Sequence, residues 1–257
     1  MSGLHLRHWP GDPDRPALAL HCMMGSGSAW GPIARLLEGR VDLRGFDMPG
    51  HGRSDDWQPQ PDSPNYHTAV TRLAAAMIDR PLDLIGHSFG ATVALRIAVA
   101  APDAVRSLTL IEPVLFAACP DPAQDALDAR MAVLLDQGQD DQAMAAFLSV
   151  WGAQDPDRLP PEARAQMVRQ IRLVAGTGDA LRHDSARILR EGGLEQVDAP
   201  VLLVQGADSP AVIGGIIDAL AGRSPAVGRD TIPGAGHIAP LPHPEPGAGP
   251  LGVNLDR

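Results

Sequence analysis

Apolar residues along this chain gather in two kinds of block, separated by turns rich in Gly, Pro and Asp. Short, mostly apolar runs at Ala17–His21, Val41–Phe46, Pro81–Ile85, Val105–Ile111, Pro200–Gln205 and Gly228–Ile232 predict strands. Longer blocks lie between them. Tyr66–Ile78 places Val70, Leu73, Ala74 and Met77 on one helical face, and Ala91–Ala98 predicts an apolar helix ending before Pro102. Strands alternating with helices predict an α/β fold: a mostly parallel sheet flanked by helices on both faces.

The alternation stops between Glu112 and Ala199. There the periodicity predicts helices over Pro122–Gln137, Gln142–Trp151, Pro161–Ala175 and Asp179–Arg190, punctuated at Gly138, Gly152, Pro160-Pro161 and Gly176. A separate domain or a dimerisation element would read similarly. The strands on either side belong to one sheet, however, which makes residues 113–199 a helical insertion within a single domain, 1–257.

Composition narrows the function. The 21 basic and 31 acidic residues leave a formal charge of −10, which argues against binding a phosphate backbone. No apolar run reaches membrane-spanning length, and Met1–His8 lacks the apolar core of a signal peptide, so no membrane insertion and a cytoplasmic location are expected. Cys22 and Cys119 do not make a disulfide framework. His51, His67, His87 and His183 lack metal-ligand spacing, and Gly50-His51-Gly52 is a turn, not a dinucleotide fingerprint. Neither metal nor cofactor is expected.

The most informative chemistry is Gly86-His87-Ser88-Phe89-Gly90, set between a predicted strand and a predicted helix. A G-x-S-x-G there forms a nucleophile elbow, a turn tight enough to demand small residues two positions either side of the serine. It lifts the hydroxyl over a helix N-terminus, where backbone N–H groups favour developing negative charge.

With that elbow, three further motifs in order resemble the α/β-hydrolase superfamily: Ala17–His21 leading to an oxyanion loop, Asp47-Met48-Pro49-Gly50-His51-Gly52-Arg53-Ser54, and Gly234-Ala235-Gly236-His237. The resemblance runs from about Pro16 to about Glu245. It implies that the insertion is a helical cap placed after the sixth strand, over a serine-type site. It also implies that His237, in a loop overhanging the elbow, is the base that Ser88 requires. The acid that orients His237 has two candidates. Most relatives place it three residues beyond a glycine after the strand Pro200–Gln205; that position is Ser209, with Asp208 one residue early. A subset places a glutamate directly after the preceding strand, as Glu112 stands here, and Glu112 is preferred. The oxyanion donors implied are the N–H groups of Phe89 and Met23, although Cys22 stands where relatives usually carry glycine.

Serine at the elbow fits acyl transfer, and an aspartate nucleophile, as dehalogenases and epoxide hydrolases need, is absent. The expected activity is hydrolysis of a small ester, thioester, lactone or related acyl compound. Two other readings stay open: the same residues used for C–C hydrolysis, lyase, oxygenase or perhydrolase chemistry, and a binding scaffold without turnover. With 4 Phe, 4 Trp and 1 Tyr, a large aromatic cleft is not expected, so the partner is a small-molecule acyl substrate. Leu115, Phe116, Met131, Leu134, Leu135, Phe147 and Trp151 are the apolar candidates of the insertion. Relatives usually follow the histidine loop with a helix, but His243–Pro250, rich in Gly and Pro, does not read as one.

Overall fold

A computed structural model describes residues 3–152, 155–238 and 254. Seven strands form one sheet: β1 (Leu6–Trp9), β2 (Pro16–Leu20), β3 (Asp42–Phe46), β4 (Leu82–His87), β5 (Val105–Ile111), β6 (Val201–Gly206) and β7 (Val227–Ile232). Their spatial order is β1-β3-β2-β4-β5-β6-β7, with β1 antiparallel to β3 and every other pair parallel. The central strands are buried on both faces, which is why they read as near-continuous apolar runs. Leu18, Leu20, Leu84, Leu108, Leu110 and Leu203 point to one face, while Ala17, Ala19, Ile85, Ile111, Leu202 and Val204 point to the other.

The first face packs under α2 (Tyr66–Ala75), α3 (Phe89–Ala100) and α7 (Ala211–Ala221). The second packs under Trp30 and α1 (Gly31–Leu36), which supplies Ile33. Neither α1 nor α7 is evident in the sequence pattern. In α7 the pair Gly214-Gly215 breaks up the apolar run, and a Cβ on Gly215 would meet the Cys119 sulfur. β1 is also unexpected from sequence. Its four residues are half exposed and include Arg7 and His8, so little apolar pattern marks this antiparallel edge.

Between β5 and β6 lie α4 (Pro122–Asp136), α5 (Asp140–Trp151) and α6 (Pro161–Arg182). Two expectations are corrected here. Five strands precede this helical insertion, so it follows the fifth strand, not a sixth. In addition, the predicted break at Gly176 does not occur, and α6 runs unbroken through Gly176 and Gly178. Ile171, Thr177 and Leu181 are buried along that helix, and the packing outweighs the roughly 1 kcal/mol cost of each interior glycine. After His183 the chain turns instead of forming the expected helix to Arg190, held by the Asp184 carboxylate on the N–H groups of Ile188 and Leu189. The Gly/Pro-rich stretch His243–Pro250 lies outside the described residues. Beyond it, Asn254 is buried and its amide donates to Thr109 Oγ1 on β5.

Candidate active site

Three parallel strand ends supply the site. β4 ends in the elbow, with Ser88 at φ 55°, ψ −117°, a left-handed conformation that costs energy outside glycine. The neighbouring glycines make it possible: a Cβ on Gly86 would strike the backbone of Gly90 and Ala91, and one on Gly90 the carbonyl of Leu20. β5 leads directly into Glu112, also at positive φ (52°), with its N–H bonded to Val204 O. The loop after β7 carries His237.

These side chains lie in one hydrogen-bonded line. His237 Nδ1 is 2.8 Å from Glu112 Oε2, and His237 Nε2 is 2.9 Å from Ser88 Oγ. A carboxylate only accepts, so Nδ1 carries the proton and Nε2 presents its lone pair to the Ser88 hydroxyl. Glu112 is fully buried, and its second oxygen accepts from Gly206 N–H (2.5 Å) and Ser209 O–H (2.7 Å). These bonds satisfy the buried carboxyl group and fix its orientation toward His237. Asp208 is not part of the line. It is exposed, and its N–H bonds the carbonyl of Ala235. Ser209, at the position where relatives carry the acid, supports Glu112 instead.

Phe89 N–H opens α3 and Met23 N–H lies in the turn after β2; among the described residues neither donates a hydrogen bond. That turn is braced by two histidines. Met48 N–H donates to His21 Nε2 (2.9 Å), and His21 Nδ1 donates to Cys22 O (2.7 Å). Met24, at φ 60°, donates its N–H to His51 Nε2 (3.1 Å), while His51 Nδ1 faces Pro49 O. Burial pushes His21 down to about 3 and His51 to about 4. Burial likewise raises the Cys22 thiol to about 12, so Cys22 is a packed thiol and not a nucleophile.

Two more buried histidines border the elbow. His67 bonds Thr92 Oγ1 and Arg96, and His87 Nε2 donates to His237 O. Burial lowers them to about 4 and about 3. Each of the four stays neutral in the folded chain and gains a proton near pH 6.5 once unfolded. Their stabilisation is therefore complete above about pH 6.5 and lost as pH falls toward 4 and 3. Each site is worth up to about 2 kcal/mol at pH 5 relative to neutral pH. The melting temperature should fall by several degrees between pH 7.5 and pH 5. A melting temperature flat over that interval would contradict neutral, unprotonatable histidines.

A cavity of about 390 Å³ stands over Ser88, walled by Met24, Phe147, Leu148, Trp151, Leu159 and Met167. Phe147 and Trp151, both apolar candidates from the sequence, thus reach the site. Met131, Leu134 and Leu135 pack in the core, and Phe116 borders a smaller side pocket. The Trp151 indole meets the His237 ring edge-on, with ring centres 4.6 Å apart. Among the described residues no group of His, Cys, Asp and Glu is arranged to hold a metal ion, and no helix is long and apolar enough to cross a membrane.

A family model described as the alpha/beta hydrolase family matches residues 17–248. Lipase LipV of Mycobacterium tuberculosis is 32% identical over 165 residues, 63% of this chain and 53% of the lipase, so the match spans about half of that relative. A pimeloyl-[acyl-carrier protein] methyl ester esterase of Nitrosomonas europaea is 26% identical over 254 residues, covering 95% of this chain and 96% of the esterase. In structure, a hydrolase from Pseudomonas aeruginosa superimposes with a TM-score of 0.74 at 23% identity, over 99% of this chain and 94% of that one.

Proposed function

The chain belongs to the alpha/beta hydrolase family, and from that premise we propose that it cleaves a small ester, thioester, lactone or related acyl compound through an acyl-enzyme on Ser88. The observation that carries this reading is the line Ser88–His237–Glu112 at the floor of an apolar cavity. Ser88 Oγ attacks the acyl carbon while its proton passes to His237 Nε2. Glu112 holds the ring in the accepting tautomer and stabilises the imidazolium that forms. The oxyanion is received by the N–H groups of Phe89 and Met23. Collapse breaks the bond to the leaving alcohol or thiol, which takes the proton from His237. Water then attacks the acyl-enzyme with His237 again as base, releasing the acid and restoring the Ser88 hydroxyl. The cycle uses no cofactor.

Helices α4–α6 act as a cap in this scheme, excluding water from the cavity and opening to admit substrate. Curated relatives named as a lipase and as a methyl ester esterase support ester cleavage as the reaction type. The test pairs a fluorophosphonate probe with a panel of short-chain esters, thioesters and lactones. Labelling at Ser88 together with turnover of at least one acyl class is the expected result. Labelling of Ser88 with every acyl substrate left intact would overturn the hydrolytic reading, and would place His237 as a base in other chemistry.

A further inference from the structure

Beside the main cavity a side pocket of about 50 Å³ rises from Ser88 and His237 between α4 and α6, and one end of its lining is polar. Cap cores are usually sealed with apolar residues, yet Gln124 and Asp128 of α4 and Thr177 of α6 face this space among Phe116, Phe147 and Val174. Gln124 and Thr177 are themselves buried. Their hydrogen bonds with one another and their neighbours are incomplete in a particular way.

Gln124 Oε1 accepts from Trp151 Nε1 (3.1 Å), and Gln124 Nε2 donates one of its two hydrogens to Asp128 Oδ1 (2.8 Å). Thr177 Oγ1 donates to Val174 O and keeps its lone pairs. Asp128 Oδ2 is buried and receives no hydrogen bond; Arg182 Nη1 lies 3.3 Å away, close enough for an ion pair but misaligned for donation. Burial, only partly offset by Arg182 and Gln124, holds the Asp128 carboxyl above its ordinary range. A group entering this pocket therefore meets two unused acceptors and one unused N–H.

Building on the proposed acyl hydrolysis, we infer that this pocket is a specificity subsite for a hydroxyl at the end of a short substrate arm, recognised by Asp128, Gln124 and Thr177. A hydroxyl donates to Asp128 or Thr177 and accepts from Gln124 in one position. An ammonium would leave the Gln124 N–H unmet, and a carboxylate would face Asp128 with like charge. The volume has room for roughly three to five water-sized groups, at about 10–15 Å³ each, which sets the length of the arm. Trp151 ties the subsite to the reaction centre, since its N–H is bound by Gln124 while its ring packs on His237.

The test compares matched pairs that differ in hydroxyl against methyl. Phenyl 3-hydroxybutanoate against phenyl 3-methylbutanoate probes the acyl arm. 2-Hydroxyethyl butanoate against propyl butanoate probes the alcohol arm, with carboxymethyl butanoate as the charged comparison. In one of the two arms kcat/KM should favour the hydroxyl by about tenfold, the scale of one hydrogen bond to a charged acceptor. The ratio should fall to about one in Asp128→Leu, again the loss of that single bond. A purely structural Asp128 would lower both members of a pair together and leave the ratio unchanged, overturning the inference. Ratios near one in the wild type for both arms, or a preference for the carboxylate, would overturn it without any variant.

Binding separates this inference from the hydrolytic reading. In Ser88→Ala, 4-hydroxybutan-2-one should bind several times more tightly than pentan-2-one by saturation-transfer NMR, and the double variant with Asp128→Leu should lose the difference. That preference without ester turnover would refute the hydrolysis alone. Equal binding of the two ketones would refute the subsite.

Discussion

Ser88→Ala should lower kcat/KM for an activated ester such as 4-nitrophenyl butanoate by about 10⁴- to 10⁶-fold. Such a loss follows from geometry. Among the described residues the hydroxyl is the only nucleophile aligned with His237 Nε2, at 2.9 Å, and the nearby Cys22 is a buried, protonated thiol. Without Oγ the imidazole can only direct water to the ester, and the residual rate would come from the oxyanion donors and substrate binding. The fold should survive, because the elbow is imposed by Gly86, Gly90 and the strand pairing, and Ser88 N–H stays bonded to Ile111 O. Steady-state kinetics with a thermal melt on the same sample checks both halves. Loss of rate accompanied by unfolding would not count in favour.

Glu112→Gln should lower kcat by about 10³- to 10⁴-fold while KM and melting temperature stay close to wild type. The amide keeps an oxygen for Gly206 N–H and Ser209 O–H, so the strand end remains anchored. Its NH₂ then faces His237 Nδ1 and demands the opposite tautomer, which puts a hydrogen on Nε2 and removes the lone pair Ser88 needs. Asp208→Asn should change kcat/KM by no more than about twofold, as befits an exposed substitution away from the line. The paired measurement separates an orienting role from a structural one. If Asp208→Asn were the costly change and Glu112→Gln the mild one, the assigned hydrogen-bonded line would not be the working one.

Much of this molecule is legible in its residues, and the illegible parts share a cause. Six of the seven strands show, the central ones because they are buried on both faces. β1 does not, since an exposed antiparallel edge carries Arg7 and His8 at no cost. The motifs single out Ser88, His237 and Glu112, and the structure brings those side chains together. Local sequence reaches that far because tight turns force glycine and buried strand ends rarely tolerate an acid. What decides between Glu112 and Asp208 is not local. It is the approach of Gly206 N–H and Ser209 O–H from the neighbouring strand end, about a hundred residues away. The unbroken α6 fails from sequence for the complementary reason: Gly176 is a weak local signal, and packing along Ile171, Thr177 and Leu181 overrides it. The polar side pocket is the least legible feature. Gln124 and Asp128 look like an ordinary solvated helix face until α6 folds across them.

The most direct test is mass spectrometry of the acid-quenched wild-type protein during turnover of 4-nitrophenyl butanoate, with nitrophenol release followed in the first milliseconds. Acyl transfer through Ser88 predicts a burst of nitrophenol stoichiometric with active sites, and a butanoyl mass on the peptide that contains Ser88. Rapid ester turnover with neither burst nor adduct can still arise if deacylation is fast, so the same quench is applied to Ser88→Cys, whose thioester should accumulate. Turnover with no acyl mass at position 88 in either protein would contradict the account.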